Sequence, residues 1–285
     1  MVIHKAQTCR TATHADRQQL ANLIHFEAHV HRHLDWREPL DWIGQQPYLI
    51  LERRNHILAC LAAPIDPPSA AWIRLFAVAS NYSPEKAWGT LWPAALEYLR
   101  SCNPVFIGAI CLQTWFQRIL TGWQFIQENT VILLEWEDPV MPVKNDHLNL
   151  TIRPMADADL PTVESLDAAA FGPIWRISLQ TLGDALRQAT LATVAILDDI
   201  IVGYQISTST QMGGHLARLA VHPRCQRRGI GSAIVNDLLN WFVQRGFQRV
   251  TVNTQIDNHA SLALYKRAGF VLTGESYPVY RYAGI

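Results

Sequence analysis

Charge is sparse in this sequence and favours neither sign. Only 17% of the 285 residues are charged, and 24 Lys and Arg balance 24 Asp and Glu. With a pI of about 7.2, there is no basic footprint of the kind that holds nucleic acid through its phosphates. Cysteine is also scarce. Cys9, Cys60, Cys102, Cys111 and Cys225 are odd in number and scattered, without a C-x-x-C pair. That excludes a disulfide framework or zinc knuckle and fits a reducing compartment. No run of 18 uncharged apolar residues occurs, so no membrane span is expected. The first twenty residues hold no apolar stretch, so no signal peptide is expected and the cytoplasm is the default location. Apolar residues are plentiful, at 49%, enough for the cores of two ordinary domains.

A proline-bearing stretch near the midpoint, E-D-P-V-M-P-V-K-N-D-H at 137–147, reads as a linker. It divides the chain into a first domain at 1–138, a linker at 139–149 and a second domain at 150–285. In the second domain, periodicity predicts helices over 156–171 and 178–189, the first capped by Asp157 or Asp159. Strands follow at 192–197 and 200–208 around Asp198-Asp199, with a turn at Gly213-Gly214 and a strand at 216–221. A helix over 229–245 ends at Gly246, a strand covers 249–255, a helix over 259–268 closes at Gly269, and a last strand covers 270–281. The first half can be laid over this pattern: a helix at 11–25, a hairpin at 48–52 and 57–62, a strand at 72–78 and a helix at 88–99. Val78 and Val221 are 143 positions apart, and Phe125 and Phe270 are 145 apart. A near-constant offset over several elements is the mark of an old duplication.

The segment that carries chemistry is Leu219-Ala-Val221-His-Pro223 followed by Gln226-Arg-Arg-Gly-Ile-Gly231. An apolar strand enters a turn with two glycines where a helix begins. Helix N-termini expose unpaired N–H groups and a partial positive charge, which together attract anions. Gly229 and Gly231 let backbone approach a phosphate without a Cβ in the way. Arg227 and Arg228 add charge at the rim. Taken alone, such a turn could equally be an ordinary surface turn.

A second signature lies downstream: Asn258-His-Ala-Ser261-Leu-Ala-Leu-Tyr265-Lys-Arg-Ala-Gly269-Phe270. The two motifs together resemble the GNAT superfamily of acyl-coenzyme A dependent N-acyltransferases, whose turn reads Q/R-x-x-G-x-G/A and whose later signature reads N-x-x-[AS]-x-x-x-Y-x-x-x-G-F. The resemblance covers residues 150–285. It implies an α/β fold (an α+β mixed sheet), here two GNAT-like domains in tandem, each a central twisted mixed sheet flanked by helices. It also implies acetyl-coenzyme A as cofactor. The backbone of Leu219, Ala220 and Val221 would pair with the pantetheine arm like an added strand. The N–H groups of Arg227, Arg228, Gly229, Ile230, Gly231 and Ser232 would hold the diphosphate. Asn258 would hydrogen-bond the pantetheine, and Tyr265 would protonate the departing thiolate. Packing in a helix core is the competing role for Tyr265.

In this family many members carry Glu six residues before the valine that ends the central strand. Here that position is His215, either a base working near neutral pH or a turn residue. Members that acetylate ribosomal-protein N-termini carry Glu five residues before the equivalent of Asn258. Here that residue is Asn253, which cannot be a base. A backbone N–H near Leu219 would serve the thioester oxygen. The acceptor pocket is expected from the aromatic segments at 171–175 and 276–280, which lack an acidic cluster and so disfavour polycationic acceptors.

In the first half, Pro84, Glu85 and Trp88 replace the basic residues and glycine of the turn. The negative charge and the indole bulk predict no catalysis there. This half holds eight of the ten tryptophans, which leaves it packing, dimer contact or one wall of an acceptor cleft as roles. His25, His29 and His33 would share a face if helical. No carboxylate or Cys completes a metal set at fixed spacing, so a solvated face is expected and no metal. The function implied is transfer of an acetyl or small acyl group to a primary amine of a small molecule or peptide. A non-catalytic acyl-coenzyme A binding module is the alternative.

Overall fold

Two arginine–aspartate clamps, 143 residues apart, open two units with matching element order. In the first, both guanidinium nitrogens of Arg10 donate to Asp16 at 2.8 Å, and the Thr13 N–H donates to the same carboxylate at 2.8 Å. In the second, Arg153 donates to Asp159 at 2.7 and 2.8 Å, joined by the Ala156 N–H at 2.8 Å. The guanidinium holds each carboxyl below its ordinary range. Each clamp fixes the corner where a first strand enters a first helix, by way of a short 3-10 turn.

The computed structural model describes residues 7–137 and 150–284, so the expected linker lies outside the described residues. The chain divides into Met1–Glu128 with Pro278–Ile285, and Asn129–Tyr277. The first unit runs β1 (Thr8–Thr11), α1 (Arg17–Phe26), β2 (His29–Arg32), β3 (Tyr48–Arg53), β4 (His56–Ala62), β5 (Ala70–Trp72), β6 (Leu75–Val78), α2 (Pro84–Cys102), β7 (Phe106–Ile110) and α3 (Thr114–Thr121). After β8 (Phe125–Trp136), the second runs β9 (Leu150–Pro154), α4 (Leu160–Trp175), α5 (Leu179–Gln188), β10 (Leu191–Leu197), β11 (Ile200–Thr210), β12 (Gly213–Val221), α6 (Ile230–Gln244), β13 (Val250–Gln255), α7 (His259–Arg267) and β14 (Val271–Tyr282). The division differs from the sequence boundaries at 138 and 150. Residues 131–136 of β8 pair with β13, whereas residues 279–281 of β14 pair with β7. Each half of the sequence therefore completes its sheet with a strand end from the other half.

Register repeats as well as order. Ala70↔Phe106 to Trp72↔Gly108 and Gly214↔Val250 to Leu216↔Val252 are both parallel ladders, and both of their strands are displaced by 144. Both hairpins turn on two residues of positive φ, Arg54-Asn55 and Asp198-Asp199, the geometry that matches strand twist.

Several sequence expectations change. The strand expected at 72–78 is broken. Ile73 N–H still bonds to Gly108 O, but Arg74 N–H bonds to Ala62 O, so the chain leaves β7 and joins β4. Gly213 and Gly214 are strand residues, and the turn falls at Gln211-Met212. A Cβ on Gly213 would meet Arg249 O at 2.7 Å, so close backbone approach explains that glycine. α2 begins at Pro84 rather than 88, with Ser83 as its cap. Trp88 does not obstruct a ligand: it is fully buried, stacked on Trp92 at 5.2 Å in the core.

The histidines form no helical face. α1 stops at Phe26, and His29 and His31 belong to β2, an extended strand. The His31 ring stacks on Phe116 at 4.2 Å, and its Nε2 meets Ile73 O at 3.1 Å. Burial pushes its pKa down to about 4. His33 is lowered too, by burial and by nearby Arg74 and His31. These rings are neutral at pH 7.

Between pH 6.5 and 4 the unfolded chain binds a proton at His31 that the folded chain excludes, so stability falls as pH falls through that window. His31 alone is expected to cost about 2 kcal/mol on going from pH 7 to pH 5. Urea denaturation across this range should show the slope, and His31→Phe should reduce it. An unchanged midpoint from pH 7 to 5 would contradict the burial argument.

Candidate active site

β12 is the strand on which the site is built. One edge is fully paired with β11, from Gly203↔Val221 to Thr210↔Gly213. The other edge pairs with β13 at only three positions, from Gly214 to Leu216. The register then jumps, from Ser207↔Leu216 to Ile206↔Arg218, leaving Ala217 as a bulge residue. A bulge bends its strand and ends pairing. Beyond it, among the described residues, no strand lies beside 218–221 on that edge. Leu219 and the Val221 N–H therefore face an open backbone edge, while Ala220 between them turns its N–H and C=O toward β11.

The strand leads into the turn expected from the sequence. Gln226 Nε2 donates to Val221 O at 3.0 Å and braces the corner. Arg227 and Gly229 both have positive φ, 60° and 86°, a backbone shape that turns successive N–H groups toward one point. Arg227, Arg228 and Gly229 are exposed. Gly229 is the N-cap of α6, and no side chain caps this end among the described residues. The first N–H of the helix to reach a helix carbonyl is that of Ala233, 3.0 Å from Gly229 O. The amides of Ile230, Gly231 and Ser232 are thus without intrahelical acceptors. A Cβ on Gly231 would stand 3.2 Å from Leu264 Cδ2, so this glycine lets α6 start hard against α7.

The downstream signature is also explained locally. Asn258 caps α7, its Oδ1 accepting the Ser261 N–H at 3.1 Å. That commits the oxygen to the helix and leaves the amide N–H groups to reach a ligand. At the far end the Phe270 N–H bonds to Tyr265 O at 3.0 Å and the Gly269 N–H to Lys266 O at 3.2 Å, a Schellman closure. Gly269 has φ 92°, and the closure brings Phe270 against the Tyr265 ring, centroids 5.6 Å apart. The Tyr265 ring is buried in the core, and burial raises its pKa well above the ordinary value. It stays protonated at neutral pH, as a proton donor must.

His215 lies before the bulge, its Nδ1 2.9 Å from Thr251 Oγ1. Burial lowers its pKa, so it is neutral and able to accept a proton at pH 7. It is a strand residue, not the turn residue that was the competing reading. His215 and Tyr265 are not brought together as a pair: Tyr265 packs with Leu216 and Phe242 in the α6 core, while His215 is set on the opposite face of β12 from its neighbour Leu216.

A feature not read from the sequence lies beside Leu219. Arg218 donates to Asp167 through Nε at 2.6 Å and Nη2 at 2.9 Å, and to Trp175 O at 2.7 Å. Its guanidinium lies over the Phe171 ring at 3.8 Å. Asp167 is fully buried and also accepts the Tyr204 hydroxyl and the Ile177 N–H. Gly172, at φ 68°, bends the end of α4 around this cluster. The expected acceptor wall at 171–175 is therefore tied to the central strand next to its open edge. The other expected wall, 276–280, does not stay together: Tyr280 is buried in the core of the first unit. A lone Arg on an apolar strand, with a lone Asp in the α4 pattern, was the available signal.

Residues 160–270 match the model of the Acetyltransferase (GNAT) family. An uncharacterized N-acetyltransferase of Methanocaldococcus jannaschii is 28% identical over 122 residues, 42% of this chain and 78% of that protein. A GCN5-related N-acetyltransferase from Sphaerobacter thermophilus has the same fold, with TM-score 0.63, 17% identity, and 96% and 95% of the two chains covered. A tandem GNAT protein from the clavulanic acid biosynthesis pathway aligns at TM-score 0.66, with 13% identity over 97% and 98%. Residues 160–270 thus form a GNAT-type acetyltransferase domain. No described helix is long and apolar enough to cross a membrane, and no described group of three His, Cys, Asp or Glu could hold a metal.

Removing Arg218 would leave the Asp167 carboxylate buried with only neutral partners. Arg218→Met is expected to cost about 3–5 kcal/mol, read from urea denaturation. A cost below 1 kcal/mol would mean that the pair is not a structural bolt.

Proposed function

We propose that the second unit transfers an acetyl or small acyl group from coenzyme A to a primary amine. The observation that carries this reading is the open edge of β12 running into the uncapped N-terminus of α6. Unpaired backbone on a strand and unpaired backbone on a helix end are both costly unless a ligand or water satisfies them. A pantetheine amide chain suits the first and a diphosphate the second. Acetyl-coenzyme A supplies the activated thioester. The edge at Leu219, Ala220 and Val221 orients the arm, with the amide of Asn258 as a further donor. The N–H groups from Arg227 to Ser232 hold the diphosphate, with Arg227 and Arg228 at the rim.

The amine nitrogen attacks the thioester carbon, the C–S bond breaks, and the nitrogen loses a proton. The Leu219 N–H, on the open edge, is the candidate donor to the developing oxyanion. Tyr265 supplies the proton that the departing sulfur takes up. His215 is the candidate to accept the proton from nitrogen, directly or through water. The first unit is read as non-catalytic.

Calorimetry with acetyl-coenzyme A should give saturable binding, and its absence at millimolar ligand would end this reading. Gly229→Trp fills the cradle and should weaken binding by roughly 100-fold, equivalent to losing one or two N–H bonds to a charged group. Thiol release on a panel of amines, amino sugars and peptides should then find turnover. Tyr265→Phe should lower kcat by roughly 100-fold with unchanged cofactor affinity. Tight binding without thiol release on any amine would instead favour an acyl-coenzyme A binding module.

A further inference from the structure

The first unit has the same splayed strands as the second, and something already lies between them. β5 pairs with β7 at three positions, and the chain then crosses at Ile73-Arg74 to pair with β4 as β6. In the second unit the edge equivalent to the far side of β6 is the open edge of β12. In the first unit that edge is paired, antiparallel, with β2: His29↔Val78, Val30↔Ala77, His31↔Phe76 and Arg32↔Leu75. Position for position, Phe76, Ala77 and Val78 correspond to Leu219, Ala220 and Val221, since Ala59↔Val78 matches Gly203↔Val221.

We propose that β2 is an internal ligand, a strand of the chain's own backbone that permanently fills in the first unit the slot that pantetheine would fill in the second. This rests on the cofactor reading above for what the second slot takes. Independent features fit β2 to this place. Its segment stands in chain order where the second unit has helix α5. Its side chains are matched to the slot wall: His29 meets Trp115 edge-on at 5.1 Å, and His31 stacks on Phe116 at 4.2 Å. Trp115 and Phe116 are the second and third residues of α3. The second and third residues of α7 are Ala260 and Ser261, small side chains that leave room where α3 fills it.

The strand is also anchored at its far end. The His33 N–H bonds to Arg74 O at 2.9 Å, and Arg74 pairs with Asp35 at 2.9 Å with both side chains nearly buried. The diphosphate end is closed separately. α2 is capped by Ser83, whose Oγ accepts the Lys86 N–H and donates to Glu85 at 2.7 Å. The N-cap at the equivalent end of α6 is bare Gly229. The slot in the first unit is therefore closed along its whole length by residues of that unit, and the chain takes one coenzyme A.

Hydrogen–deuterium exchange on the full chain, with and without coenzyme A, tests this. The expected result is strong protection of the His29 and His31 amides and of Leu75–Val78 in the free protein, unchanged by coenzyme A, while the Leu219 and Val221 amides gain protection. Fast exchange of the His29 and His31 amides in the free protein, or new protection at Leu75–Val78 on adding coenzyme A, would overturn the proposal. Protected, unresponsive β2 and β6 alongside unresponsive 219–221 would retain the internal strand and refute the cofactor reading instead. In Gly229→Trp, titration with coenzyme A should leave no second, weaker site; residual saturable binding would mean that the first slot opens.

Discussion

A backbone N–H or C=O removed from water must find a partner, and a strand that parts from its neighbour creates a row of such groups. The bulge at Ala217 does this to β12, and the crossing at Ile73-Arg74 does it to β5 and β6. Much of the remaining architecture answers that one demand. In the first unit the answer is built in, a hydrogen-bonded strand of the same chain. In the second it is left to solvent or a ligand. The same geometric defect thus makes a scaffold in one place and a candidate binding cleft in the other.

The buried ion pairs lie near these defects. Arg74–Asp35 sits at the crossing in the first unit, and Arg218–Asp167 beside the bulge in the second. A buried pair adds little net stability against an apolar alternative, but it fixes geometry, because breaking it strands a charge. Where a sheet splays, regular ladders no longer specify the path of the chain. Directional bonds from a guanidinium fork hold that path instead.

Much of the second unit was legible in the sequence because its signals are local. Gly229 and Gly269 occupy positive φ, Asn258 caps its helix and Phe270 folds back on Tyr265, each within a few residues. The first unit was legible in outline only. Its repeat is visible in Val78 and Phe125, and more plainly in Arg10 and Asp16 against Arg153 and Asp159. The histidines are ambiguous locally, because His-x-x-x-His fits a helix and His-x-His a strand, and the deciding partner, β6, is more than 40 residues away in sequence. Trp88 is ambiguous in the same way: bulk obstructs only if the side chain faces the ligand, and this one faces the core. The path of residues 171–175 depends on Arg218 reaching Asp167 across 51 residues, which no local pattern encodes.

The exchange of strand ends affects how the molecule comes into being. Residues 279–281 complete the sheet of the first unit beside β7, yet they are synthesised long after it. Until they leave the ribosome, β7 carries a raw sheet edge of the kind that recruits stray strands. Chains usually fold domain by domain as they emerge. Here the first unit must wait for residues 279–281, and cleavage anywhere between 138 and 149 would cut the covalent link between each unit and the strand it borrows.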